Sequence, residues 1–439
     1  MKYINHYILL LIVACSSLIE AQELLTKEEA ISQALEHNYG IKIANNNLEV
    51  AKNNSSIYNS NYLPTLSGSA GANYSNANQE ILRQDGTSTE VNGAETKSYN
   101  AGVSLNYTLF DGLGRKYNYK QLKETQNLTE LQVRETIEST YLDVFNLYYL
   151  AAQLSENKNN FKRALQVSKT RLKRVEYQYE YGQNTKLEVL SAEVDVNNDS
   201  INLMSIQQEY ANAKRNLNIV LGVNKDINFD VETDVDFIEL LSLEELQNLT
   251  SKNNVVLNQA DKNILISKYN INISKAGFLP RVGLTGSYGW NKSINPATSF
   301  LAELNSTGLS AGLNLSWNVF DGGTTKTRVA NAKIALENQK ILKDQQTNII
   351  KNTLKNLWED YHNKLFIFRA QEQNVVTAKN NFDRTEEKYK LGQVPSIEFR
   401  QAQVNLINAQ TALNNAKYDA KFKELELLQI SGLLLNTAF

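Results

Sequence analysis

Cysteine, histidine and proline are scarce in this chain, and each scarcity closes a class of function. One cysteine in 439 residues excludes a disulfide framework and any thiolate cluster for zinc or iron–sulfur. Of three histidines, His6 lies in the leader, and His37 and His362 each stand alone on a helical stretch, so no metal or cofactor is expected. Charge of one sign is also missing. With 45 basic against 47 acidic residues the formal net charge is −2, which gives no electrostatic reason to expect nucleic acid. Neither a Walker glycine–lysine loop nor a His/Ser/Asp or paired-carboxylate constellation is present, so the chain is read as non-enzymatic. Long apolar runs are missing too. The one continuous stretch is Ile8–Ala14, and a membrane-spanning helix needs about 20 such residues.

What is present begins with an address. Lys2, the apolar Ile8–Ala14 and the small residues after it form a secretory signal over 1–21. Cleavage after Ala21 leaves Gln22 first; alternatively Ile12-Val13-Ala14-Cys15 resembles a lipoprotein signal, with Cys15 acylated. Either way the mature protein leaves the cytoplasm.

The rest is a duplication. Phe110-Asp111-Gly112 recurs as Phe320-Asp321-Gly322, and Tyr181-Gly182-Gln183 as Leu391-Gly392-Gln393, both 210 residues on; Leu221-Gly222 returns as Ser431-Gly432 at the same offset. Leu63-Pro64 recurs 216 residues on as Leu279-Pro280, which places a longer connecting loop inside the first copy. The divisions are therefore a first repeat over 22–222, an acidic equatorial linker over 223–245 and a second repeat over 246–439.

Fourteen of the 20 glycines fall in Pro64–Gly112 and Gly277–Gly323, whereas Arg115–Tyr181 and Thr324–Leu391 contain neither glycine nor proline. Each of those stretches reads as one helix about 100 Å long, broken at Gly182 or Gly392 and followed by a second helix to Leu221 or Ile430. Ala192, Val196, Asp199, Leu203, Ile206, Tyr210, Ala213, Leu217 and Val220 step by fours and threes, as do Ala402, Leu406, Ala409, Leu413, Ala416 and Ala420: a coiled-coil seam. The glycine-rich regions alternate with period two, giving one β-hairpin over 65–110 and another over 281–320. That alternation fits a half-buried soluble sheet as well as a membrane barrel. If the strands lie in lipid, four cannot close a barrel, and several copies must pool them.

Taken together, the twofold order of helix, Leu-Pro, hairpin, Phe-Asp-Gly, long helix, glycine turn and long helix resembles the TolC-like outer-membrane factor family over essentially the whole mature chain. The resemblance implies a mostly α fold with a small β part. Long coiled-coil helices form an α-barrel through the periplasm, and four strands per protomer join a shared transmembrane β-barrel in a homotrimer. It implies a passive exit duct of a tripartite efflux or type I secretion system, working with a periplasmic adaptor and a proton-driven or ATP-driven inner-membrane pump. A structural coiled-coil or adhesin-like surface protein is the alternative from another class.

In that family the glycine turns lie at the periplasmic tip, where the channel narrows and the adaptor docks. The matching residues here are Tyr179, Gly182 and Glu188 in the first turn and Tyr389, Gly392 and Glu398 in the second. The resemblance implies a Tyr389–Glu188 latch and a ring of Glu398 carboxylates, in which like charges favour cations. Two positions depart from the family pattern: Val394 replaces a basic residue and Gln401 an acidic one. The bland reading makes Glu188 and Glu398 solvated helix-start residues favoured by the helix dipole. Elsewhere, Asp111 and Asp321 are expected to cap helices, and each Leu-Pro to stop one at the membrane. Tyr62, Phe110, Phe278 and Phe320 are expected either in an interfacial belt or in the core. Asp85, Glu90 and Glu95 are placed in a hairpin loop outside the cell, and Asp226–Asp236 in a solvated belt rather than a calcium site.

Overall fold

The computed structural model describes residues 23–437 except 225, 227 and 240. The secretory segment and Cys15 lie outside the described residues. In chain order the elements are β1 (Glu23–Leu25), α1 (Lys27–His37), α2 (Tyr39–Asn54), β2 (Thr65–Leu82), β3 (Ser88–Phe110), α3 (Gly114–Glu180), α4 (Lys186–Leu221), β4 (Phe229–Val231), α5 (Leu243–Asn253), α6 (Val255–Lys275), β5 (Arg281–Ile294), β6 (Glu303–Ser316), α7 (Thr324–Lys390) and α8 (Ser396–Ile430). The chain forms two compact units. Among the described residues, one comprises residues within 23–46, 131–259 and 344–437; the other comprises Asn47–Glu130 and Ala260–Lys343.

The first unit is helical. Its core gathers Phe145, Tyr148 and Tyr149 of α3, Leu217 and Leu221 of α4, and Leu425 and Leu428 of α8. Every expected seam position on α4 and α8 is at least partly buried, as a 3.5-residue repeat packed against neighbouring helices requires. The duplication is visible in matched joints: Asn38 Nδ2 donates to the Val220 carbonyl at 2.7 Å, and Asn254 Nδ2 to the Ile430 carbonyl at 2.9 Å.

The linker departs from expectation, since it is docked rather than solvated. Its strand β4 pairs in parallel with β1, and Phe229 and Val231 are buried. Side chains from three helices satisfy its backbone and its acid. Tyr148 Oη accepts from Glu232 N at 3.0 Å, Tyr210 Oη donates to Asp230 Oδ1 at 2.9 Å, and Lys214 Nζ donates to the Phe229 carbonyl at 2.9 Å. Lys421 Nζ donates to the Asp236 carbonyl at 2.7 Å and is paired with Glu424, which accepts from Ile238 N. Hydrophobic residues at alternate positions, Phe229 and Val231, were the signal that this segment has a buried face. No group of three or more potential metal-ligating residues occurs among the described residues.

The second unit carries an antiparallel four-stranded sheet in the order β2-β3-β5-β6, so the two hairpins lie side by side and β2 and β6 are its edges. Three boundaries differ from the sequence reading. The six extra residues of the first copy lengthen strands instead of a loop, because the β2–β3 ladder continues to Leu82↔Ser88; this puts Glu90 and Glu95 on β3 and leaves only Asp85 in the turn. Strand β6 ends at Ser316, and Trp317 turns away to donate its indole N–H to the Phe278 carbonyl at 3.1 Å. Finally, α2 stops at Asn54, well before Leu63-Pro64, with a separate 3-10 turn between; in the second copy, as expected, the helical path runs through a 3-10 turn to Phe278 and Leu279 is extended before Pro280. The aspartates do cap: Asp111 Oδ2 accepts from Arg115 N at 2.9 Å, and Asp321 Oδ2 from Thr325 N at 2.8 Å.

The sheet has two chemically distinct faces. Successive rungs place Thr65, Asn106, Thr285 and Gly312 side by side, then Ser67, Ser104, Ser287 and Ser310, on one face. The opposite face carries Leu66, Leu105, Val103, Leu284, Leu313 and Leu309, with Tyr74, Tyr99, Tyr288 and Trp290 toward the hairpin ends. No described helix is long and apolar enough to cross a membrane.

Candidate functional site

The two glycine turns belong to the helical unit and end α3 and α7 in the same way. Gly182 N donates to the Tyr179 carbonyl at 3.0 Å and Gln183 N to that of Gln178 at 2.7 Å; Gly392 N donates to Tyr389 at 3.1 Å and Gln393 N to Lys388 at 2.9 Å. With φ of +70° and +72°, both glycines hold the left-handed conformation that closes this helix-terminal motif and that side chains disfavour. Tyr179 is exposed, with Lys186 Nζ 5.8 Å from its ring centre.

Glu188 and Glu398 each stand in the first turn of the returning helix. Thr185 Oγ1 caps α4 by accepting from Glu188 N at 3.4 Å, whereas Pro395 begins α8 without a side-chain cap. Neither carboxylate has a hydrogen-bond or ion-pair partner among the described residues, and each complements the positive end of its own helix.

The expected latch between Tyr389 and Glu188 is not formed. Tyr389 is buried, and its hydroxyl has no partner among the described residues. Its ring lies flat against Phe399, which also stacks on Phe382 at 5.5 Å, while the Arg174 guanidinium sits 5.1 Å from the centre of the Tyr389 ring. Arg174 Nη2 also donates to the Lys390 carbonyl at 2.7 Å. The tyrosine thus works as an aromatic wedge under the second turn. Sequence reasoning missed this because Phe399, seven residues past Gly392, was not read as its partner.

The fastening beside the turns is a buried charge network. Arg400 of α8 grips Asp199 of α4 with both terminal nitrogens, at 2.7 and 2.8 Å, and its Nε lies 3.4 Å from Asp195. Arg171 of α3 pairs with the other oxygen of Asp195. Ser168 donates to Asp199, and Gln403 Nε2 donates to Ser168 Oγ at 3.0 Å and to the Ala164 carbonyl at 2.8 Å. Ser168, Arg171, Asp199 and Gln403 are all buried. Burial opposes the charge on Arg400, but the hydrogen bonds and field of Asp199 and Asp195 outweigh it, so the guanidinium holds its proton more firmly than usual. Three helices are locked together by a two-pronged, charge-assisted grip. Asp199 was the available signal: a carboxylate on an otherwise apolar seam requires a buried partner.

The family model described as outer membrane efflux protein matches residues 30–223 and 246–433, one match per repeat. The chain belongs to this family. It is an exit channel of the outer membrane, and the family is one of transport conduits. Among curated relatives, the outer membrane efflux protein BepC of Brucella suis is 21% identical over 440 residues, covering 95% of this chain and 91% of its own. The probable outer membrane lipoprotein SilC of Salmonella typhimurium is also 21% identical, with 92% and 84% covered. The CmeC outer membrane channel of Campylobacter jejuni superposes with a TM-score of 0.77 at 17% identity, covering 93% of this chain and 86% of the other, which establishes the shared fold.

Proposed function

We propose that the channel is a homotrimer in which three four-stranded sheets close a twelve-stranded barrel, and that it serves as a passive duct without catalysis of its own. The observation that carries this reading is the open sheet. Strands β2 and β6 leave a row of backbone donors and acceptors unpaired, which lipid does not tolerate, while one face is apolar and girdled by aromatics. Pairing β6 of one copy with β2 of the next removes both edges.

The helical unit supports the same reading. Besides its buried seam, α4 bears a second apolar stripe of Leu187, Leu190, Val194, Ile201 and Met204, all exposed and again spaced by threes, fours and sevens. A second heptad face without a partner in its own protomer suits packing against a sister helix. The glycine turns, with Tyr179, Glu188 and Glu398, are the proposed periplasmic tip, which docks an adaptor and narrows the pore; Glu188 and Glu398 supply its carboxylates. Energy comes from an inner-membrane pump of proton-driven or ATP-driven type. The test is native mass spectrometry of detergent-extracted protein: a heat-labile assembly of three mature chains is expected. A detergent-free, water-soluble monomer with its full helical content would overturn the reading.

A further inference from the structure

The face of the sheet opposite the aromatic girdle is almost without charge. From Thr65, Thr108, Arg281 and Ser316 at the helix-proximal rungs to Ser75, Thr96, Ser293 and Leu304, its positions other than Leu304 and Arg281 are serine, threonine, asparagine or glycine, with Arg281 as the sole ionised residue. Of the other ions of these strands, Lys97 pairs with Glu95 at 3.3 Å and Lys292 with Glu303 at 2.8 Å on the opposite face, while Glu80 and Glu90 share a rung beyond the β2–β3 irregularity, outside this stretch. Arg281 opens β5, is exposed, and has no ion-pair or hydrogen-bond partner among the described residues. It lines a cleft of about 500 Å³ with Asp111 and Arg115. Arg115 is neutralised, its Nε 3.2 Å from Asp111 Oδ2 and its Nη1 donating to the Asn61 carbonyl at 3.1 Å. The uncompensated charge of the polar face is therefore that of Arg281.

We propose that Arg281 is a selectivity residue, a cationic collar where the barrel meets the helices, which weights permeation toward small anions and anionic cargo. The proposal rests on the barrel reading above, in which the polar face lines the lumen and each copy contributes one guanidinium to the ring. An otherwise neutral lining has nothing to screen it, and fixed rings of one sign set ionic preference in a pore.

The experiment is the reversal potential of the full-length channel in planar bilayers under a potassium chloride gradient. Wild type is compared with Arg281→Lys, Arg281→Ser, Arg281→Glu and, on the other face, Lys292→Glu, each first shown to form the wild-type heat-labile oligomer. Near 0.1 M salt, where the screening length is about 10 Å, Arg281→Glu is expected to lower the chloride-to-potassium permeability ratio by roughly threefold or more. Arg281→Ser should fall between, and Arg281→Lys and Lys292→Glu should match wild type. Equal ratios for wild type and Arg281→Glu in conducting channels overturn the proposal and leave the barrel reading standing, as does an equal shift from Lys292→Glu. A wild-type protein that forms no conducting pore overturns both.

Discussion

The rings of Tyr389 and Phe399 lie 4.7 Å apart, centre to centre, with planes 1° from parallel. This stack joins the last turn of α7 to the first turn of α8 across Gly392, so the second glycine turn is held by ring contact. Because the Tyr389 hydroxyl is buried without a partner among the described residues, removing it leaves none of them unsatisfied. Tyr389→Phe should therefore keep wild-type stability and closed-state leak, measured as single-channel conductance. Phe399→Ala should cost about 3–5 kcal/mol locally, as large aromatic truncations in packed sites do, and raise the leak.

Arg400 and Asp199 give the opposite expectation. Arg400→Ala leaves Asp199 buried without its charge partner, a loss of about 3–5 kcal/mol, and Arg400→Lys keeps the charge but forfeits the two-pronged geometry. Faster amide hydrogen exchange over residues 386–404 is expected in both variants, larger in the alanine one. Unchanged exchange would show that the network does not fasten the turn.

Adjacent residues of β6 separate the two faces of the sheet. Leu313 shares a rung with Leu284, and Asn314 with Gly283. Leu313→Arg should cost about 2–4 kcal/mol per copy if that face meets lipid near the bilayer midplane, and the heat-labile oligomer should be lost. Asn314→Arg should assemble normally, as read by electrophoretic migration with and without heating.

Alkali should attack the helical unit through its tyrosines. Burial, assisted by the nearby Glu424 carboxylate, pushes Tyr361 up to about 12, and burial raises Tyr148, Tyr149, Tyr210 and Tyr418 as well. The folded state thus binds protons that the unfolded state has released. Stability from these phenols is full below their ordinary pKa of 10.0 and is lost as pH rises through about 12. Tyrosinate absorbance from the buried set should appear together with loss of helical circular dichroism. A complete titration with helicity intact would contradict it.

The repeats, the long helices and the two hairpins were legible because each depends on local pattern: absence of glycine and proline, spacing by threes and fours, and alternation. Asp111 and Asp321 were equally readable, since a cap acts within four residues. What escaped depends on chain segments distant in sequence. Arg400 reaches Asp199 across 201 positions, and Lys421 finds the Asp236 carbonyl across 185. Composition made the linker look water-loving, yet its backbone is held by lysines and tyrosines on other helices. The latch between Tyr389 and Glu188 failed for a related reason: similarity of position carried the residue type but not the ring stack that absorbs it.

The unequal hairpins give the end of the sheet that carries their turns an uneven skyline. Strand β3 runs beyond its last pairing with β5, Lys97↔Ile294, back to Ser88, so for nine residues β2 is its only strand neighbour. At about 3.3 Å per residue this ribbon is roughly 30 Å long, and the turn of the shorter hairpin reaches part-way along it, Thr298 Oγ1 donating to Gln79 Oε1 at 3.1 Å. In the proposed ring of copies, with this end facing the medium, it would make a castellated crown whose merlons end in Arg83–Thr87, and anything arriving from outside would meet those five residues before the opening.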